Sequence, residues 1–354
     1  MWSVSSRCVA SIFCIMNRNT DMKKIIVLAA VAAMLPVSLM AQTAPDGGLS
    51  PEVLSRISKG YTGTSYDKAV RNALAGSSVN VMATNAENAS MIDTHFSDRV
   101  KTKGITDQKS SGRCWLFTGL NVLRAKMIEK YNLGSFTFAQ NYLFFYDQLE
   151  KANLFLQGVI DTRKLPFDDR KVDWLFSNPL SDGGQFTGVS DLAMKYGLVP
   201  SEVMPETYSS NNTSQMALQL KTILRQGGLA LRAAYDASPA ASAKGKNAAA
   251  AEAKVNAELL KIKESVLTDV YRILSLCLGV PPASFEWSMY DSSDKLVSTE
   301  EYTPLSFYKK YVDEDLDGNY VMLMNDPTRE YGKVYEIDYD RHVYDGKNWL
   351  YVNL

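Results

Sequence analysis

The chain has 354 residues, 46% of them hydrophobic and 22% charged, enough to bury the core of one large domain or two smaller ones. Its formal net charge of −1 gives no general affinity for nucleic acid or for an acidic membrane surface. Four cysteines exclude a cysteine-rich disulfide scaffold, and His95 and His342 are the only histidines.

Residues 1–41 read as a leader. From Met22, Lys23-Lys24 precede the apolar run Ile25–Val37 and the small residues up to Ala41, which is the pattern of a secretory signal peptide. The run is shorter than the roughly 20 residues of a membrane span, and no Cys at the cut offers a lipid anchor. The expectation is a true start at Met22, cleavage after Ala41, and an exported chain, periplasmic or secreted, with no membrane segment left. Cleavage removes four basic residues and one acidic one, for a net charge of −4, and takes Cys8 and Cys14 with it.

Residues 42–103 are predicted to be an N-terminal extension, with Pro45, Gly47, Gly48 and Pro51 near its start. Within it, Thr94–Ser97 fits an edge strand or a loop, and His95 a surface position. A largely helical domain follows over 104–284. Its first helix begins at Cys114, with Leu116, Leu120, Leu123 and Met127 on one face and Arg124, Lys126, Glu129 and Lys130 on the others. A second runs from about Ala139 to Asn153, and a third over Thr187–Tyr196, stopped by Gly197. Gln215–Leu278 is helical apart from an Ala-, Ser- and Lys-rich surface insertion at Ala237–Ala251. Strand-like sequence occupies 285–354: Phe285–Tyr290, Tyr320–Met324, Val334–Tyr339 and Trp349–Val352. Helices first and strands afterwards define an α+β chain.

The stretch Gln108-Lys-Ser-Ser-Gly-Arg-Cys114-Trp115 carries the chemistry. A thiol attacks well only as the thiolate, which the unpaired N–H groups and dipole of a helix's first turn favour. Cys114 sits there, after a Gly112 that lets the backbone turn, and Gln108 can donate a side-chain N–H to an oxyanion beside the N–H of Cys114. Spacing alone leaves two readings open, a nucleophile or a buried structural cysteine.

The same stretch, with Leu116-Phe117, resembles the bleomycin hydrolase and aminopeptidase C branch of the papain-like cysteine peptidases. Further matches are Asn141–Asp147, Asp182-Gly-Gly-Gln185, Tyr196–Pro200, Cys277–Pro282, Thr303–Tyr308 and Asn325-Asp-Pro327. The resemblance runs from about Gly104 to Leu354. It implies a papain-like fold, mainly its helical half with the β-barrel half largely missing, and a thiol peptidase with Cys114 as nucleophile and Gln108 in the oxyanion hole. It implies substrate contacts at Gly183, Gly184 and Trp115, peptide substrates with a free N-terminus, a homohexamer, and no cofactor. Cys277 inherits no role and is expected in the core.

The His and Asn that complete such a site lie in contexts not found here. His342, in Asp340-Arg-His-Val-Tyr344, resembles a segment upstream of the family's histidine, so the triad is expected to be incomplete. The alternatives are an inactive truncated paralogue, a peptide-binding module, or one half of a split enzyme. The strands at 334–339 and 349–352 would have unpaired edges. Asp313, Asp315, Asp317 and Gly318 match the opening of a calcium loop, but Met324 stands where its bidentate Glu belongs, so no metal site is expected.

Overall fold

The structure is a computed structural model that describes residues 47–100, 102–337, 340–344 and 349–354. The leader expected over 1–41 lies outside them. They form two compact units, one ending at His95 and one running from Phe96 to Leu354.

The first unit holds four short helices, α1 (Pro51–Gly60), α2 (Ser65–Gly76), α3 (Val79–Ala83) and α4 (Ala86–Ser90). Each starts at a residue whose side chain accepts a first-turn N–H: Ser50, Thr64, Ser78 and Asn85. Thr64 and Asp67 complete a reciprocal capping box. Helices α1 to α3 bury no residue, so capping rather than a core defines them. Thr94–Ser97 forms no strand, and His95 is exposed.

The second unit opens with α5 (Cys114–Lys130), α6 (Gln140–Asp161), α7 (Arg170–Ser177), α8 (Phe186–Tyr196) and the single turn α9 (Tyr208–Asn211). Two long helices follow, α10 (Ser214–Asp236) and α11 (Ala248–Leu278), separated by short 3₁₀ turns where the insertion was expected. Leu116, Leu120, Leu123 and Met127 of α5 are all buried, as their spacing predicts. Arg124 is not on a solvent face: it is buried, and it donates to the Gly104 carbonyl and Thr137 Oγ1. The helix is enclosed on both sides, so one apolar stripe understates its burial. Gly119 lets α8 pack close, since a Cβ there would meet Val189 at 2.6 Å. Gly197, with φ +79°, ends α8 in the left-handed region.

Strands β1 (Phe285–Tyr290) and β2 (Leu296–Tyr302) form an antiparallel hairpin, and α12 (Pro304–Tyr311) follows behind a Thr303 capping box. Phe285, Trp287 and Met289 alternate inward, where the first two meet Phe307 of α12. The last sheet has the order β3 (Met322–Met324), β5 (Leu350–Asn353), β4 (Val334–Glu336). β5 lies between a parallel and an antiparallel neighbour, so the unpaired edge expected at 349–352 is the middle of a sheet. The acidic segment Asp313–Gly318 is a turn closed by Asp315, which accepts the N–H groups of Asp317 and Gly318.

Candidate active site

Cys114 is the first residue of α5, where helix geometry gives its N–H no intrahelical acceptor. Its thiol is free and exposed, whereas Trp115 and Leu116 beside it are buried. The loop before it is closed on itself: Gln108 Nε2 donates to the Ser111 carbonyl at 2.5 Å, and Ser111 Oγ donates to the Gln108 carbonyl at 2.6 Å. An amide nitrogen carries two hydrogens, so one on Gln108 remains for a second acceptor.

Arg113 anchors this loop. Its side chain is fully buried, donates from Nε to Ser111 Oγ at 3.0 Å, and pairs with both oxygens of Glu206 at 3.0 and 2.8 Å. The guanidinium also lies 5.0 Å from the Phe117 ring and 5.1 Å from that of Phe144. A planar fork held at three nitrogens and stacked on two rings has little freedom.

Asp182 brings the glycine pair to the same place. Its Oδ2 accepts the Gly112 N–H and the Thr213 hydroxyl, both at 2.7 Å, and its carbonyl accepts Trp115 Nε1 at 2.9 Å. Burial pushes the Asp182 carboxyl up, but these donors outweigh it and hold the group below its ordinary value. A Cβ at Gly112 would overlap the Asp182 carboxylate, so this glycine serves close approach; its φ is not in the left-handed region. Gly183 and Gly184 therefore stand beside the Cys114 loop. Trp115 is 7% exposed, with its indole N–H committed to Asp182.

Behind the glycines lies an arrangement the sequence did not disclose. His342 is buried, its ring 5.1 Å from that of Trp115, and its Nδ1 is 3.0 Å from Asp147 Oδ1. Asp147 is fully buried on α6, and its Oδ2 also accepts Lys151 Nζ at 2.8 Å and Gln148 Nε2 at 2.9 Å. Burial raises the Asp147 carboxyl, yet Lys151 and His342 together bring it below its ordinary value, so the carboxylate is ionised. Gly184 and Gly188 make room for the imidazole: a Cβ on either would come within 2.8 and 2.6 Å of it. The backbone N–H of His342 donates to Asp191, which also accepts Trp349 Nε1 at 3.1 Å; burial raises the Asp191 carboxyl. The thiol of Cys114 has no hydrogen-bond partner among the described residues, and His342 bonds instead to Asp147 and Asp191. Cys277 is half-buried against the core.

Arg113, Glu206, Asp147, Lys151 and Asp191 thus hold the site's charges, and none was expected there. The available signal was Asp147 itself, a lone acid following the run Tyr142–Tyr146 at core spacing.

Helices ahead of strands, with a free thiol opening an enclosed central helix, define a papain-like cysteine peptidase fold. The chain belongs to the Peptidase C1-like family, which it matches over residues 48–354. It is 38% identical over 265 residues to aminopeptidase C of Lactobacillus delbrueckii subsp. lactis, covering 74% of this chain and 56% of that one. With aminopeptidase G of the same organism it shares 36% over 306 residues, 86% of this chain and 66% of that one. The crystal structure of PepW from Lactobacillus rhamnosis HN001 superimposes with a TM-score of 0.74 at 32% identity, covering 87% of this chain and 66% of that one. The chain thus spans between about half and two thirds of the length of these curated relatives.

Proposed function

We propose that the chain has the role of a thiol peptidase of the bleomycin hydrolase type, acting on peptides with a free N-terminus. One observation carries this reading: an exposed free thiol at the first residue of an enclosed helix, after a loop that Gln108 closes onto Ser111. Cys114 Sγ would attack the amide carbonyl, and Gln108 Nε2 and the Cys114 N–H would stabilise the oxyanion. Gly183 and Gly184 are proposed to border the path of the substrate, next to Trp115.

The described residues supply no imidazole bonded to Cys114, and that favours a second reading, a peptide-binding module built on the same cleft. General base catalysis contributes roughly 10²–10⁴-fold. The chain alone is therefore expected to hydrolyse aminoacyl amides negligibly, while an aminoacyl halomethyl ketone should alkylate Cys114 in preference to Cys277. Peptide mass mapping reads the second outcome, and equal labelling of the two cysteines would remove Cys114 as the nucleophile. Robust turnover lost in Cys114→Ala would instead reveal a base, to be located with His342→Ala and His95→Ala.

We also propose export with cleavage after Ala41, on the basic, apolar and small-residue pattern of residues 22–41. The intact mass of protein recovered from the envelope or medium should begin at Gln42. A chain still carrying Met22 would be incompatible with it.

A further inference from the structure

The two glycines of the pair use their backbones differently. Both polar groups of Gly183 are committed: its N–H donates to Ser181 Oγ at 3.1 Å, and its carbonyl accepts Lys151 Nζ at 2.6 Å. Gly184 is exposed and stands just before α8, and neither its N–H nor its carbonyl has a hydrogen-bond partner among the described residues. One face of Gly184 is closed, because Trp115 and His342 lie where a Cβ would stand. Unpaired backbone groups at an exposed glycine are an edge along which a second, extended chain can bond.

Lys151 sets which way that edge faces. The Gly183–Gly184 peptide is planar and trans, so its carbonyl and its N–H point in opposite directions. Anchoring the Gly183 carbonyl on Lys151 therefore turns the Gly184 N–H away from the ammonium. The ammonium is itself held: it also donates to Asp147 Oδ2 at 2.8 Å and to the Ser181 carbonyl at 3.0 Å, which uses its remaining protons. It lies 5.4 Å from the ring of Trp115, the neighbour of Cys114. Gln148 donates to Asp147 and Ser181 as well, at 2.9 and 3.0 Å, but not to Gly183. Among the described residues the loop thus has two side-chain anchors at the Ser181 carbonyl and one at the glycine peptide.

We propose that Lys151 is a positioning residue for peptide binding: it fixes the Gly183–Gly184 peptide so that Gly184 presents its N–H to the backbone of a peptide running past Trp115 from Cys114. This rests on the proposed thiol peptidase role. A reagent of one residue, ending short of Gly184, tests that role through Cys114. The gain from one further residue tests Lys151.

The measurement is the rate at which alanyl and alanyl-alanyl chloromethyl ketone alkylate Cys114 in the full chain, each divided by its rate with glutathione. One hydrogen bond from Gly184 to the added residue predicts a roughly tenfold advantage for the longer reagent. Lys151→Met, similar in length but without donors, should abolish the advantage, whereas Gln148→Met should keep it. Should Lys151→Met fail to fold because Asp147 is left buried without its ammonium, Asp147→Asn combined with Lys151→Met removes both charges and should abolish the advantage too. A Lys151 variant that slows both reagents equally and keeps their ratio would make Lys151 a purely structural anchor and overturn the assignment. So would an equal loss in Gln148→Met, or no advantage in an unaltered chain whose Cys114 is still labelled in preference to Cys277. Equal labelling of the two cysteines by the shorter reagent would remove the peptidase role itself, and this assignment with it.

Discussion

The corner around Cys114 and the corner around His342 use the same device on different length scales. At the first, Gln108, Ser111, Arg113 and Cys114 lie within seven residues, and the buried guanidinium reaches one distant hydrogen-bond partner, Glu206. At the second, every tie to His342 is long-range: its ring bonds to Asp147, 195 residues away, and its backbone N–H to Asp191, 151 away. The Glu206 side chain is 27% exposed, so water shares its charge, while the Asp147 side chain is wholly enclosed. A buried ion held by several partners fixes a loop in one case and a ring in the other. The enclosed version should be the more expensive to disturb.

The largest effect is therefore expected from Asp147→Asn. It leaves Lys151 and His342 facing a neutral amide in a site closed to water, and breaking a buried pair costs about 3–5 kcal/mol. Urea unfolding midpoints measure it, and a loss below that of an ordinary surface substitution would remove Asp147 as the organising charge. The pH response carries the same signature. The folded pKa values of Asp147 and Asp182 are depressed below 3.8, so the stability they contribute is fully present above that value and is lost as pH falls through the folded values. Asp191 is raised and acts oppositely: stability declines as pH rises from 3.8 through its folded value. Thermal midpoints should thus drop steeply only below about pH 4, and Asp147→Asn should flatten that acid limb.

Arg113→Lys probes the other corner and should cost less, about 2 kcal/mol. An ammonium cannot reproduce the bidentate pair with Glu206, the bond to Ser111 Oγ and the stacking on Phe117 and Phe144 together. Because Ser111 in turn closes the Gln108 loop, alkylation of Cys114 should also change in rate. If Arg113→Lys proves costlier than Asp147→Asn, enclosure does not set the order.

The contrast also explains what the sequence disclosed. The α5 start at Cys114, the stop at Gly197, the strand Phe285–Tyr290 and the Gln108–Cys114 loop follow from neighbours in sequence, and all were legible. Helix α12 had its signal too, since Thr303-Pro304 followed by Ser306 is a capping box with proline in the first turn. Arg124 was misplaced because periodicity sees one face of a helix and not what covers the other. The central position of β5 and the seat of His342 were illegible for a common reason. Strand pairing across β3, β5 and β4, and a hydrogen bond spanning 195 residues, are set by how finished helices pack. Nothing in Asp340–Tyr344 announces a partner on α6.

The smallest effects come from the glycine pair, where the two corners meet. Sequence reasoning gives Gly183 and Gly184 one shared role; the structure gives them different neighbours. A Cβ at Gly184 would come within 2.7 Å of Trp115 and 2.8 Å of His342, two rings that are each held by a hydrogen bond and cannot simply rotate away. Gly184→Ala should destabilise by about 1–3 kcal/mol through overpacking. A Cβ at Gly183 would meet only Ser181 Oγ at 3.4 Å, an ordinary contact, and Gly183 does not have a positive φ. Gly183→Ala should therefore change stability by less than about 0.5 kcal/mol. Any further effect should fall on the cavity of about 390 Å³ that Gly183 lines, where the added methyl would take up space. Melting curves for the two variants separate the roles. Equal destabilisation by both alanines would mean that the pair acts as a plain turn, with no division between a ring cradle and an open wall.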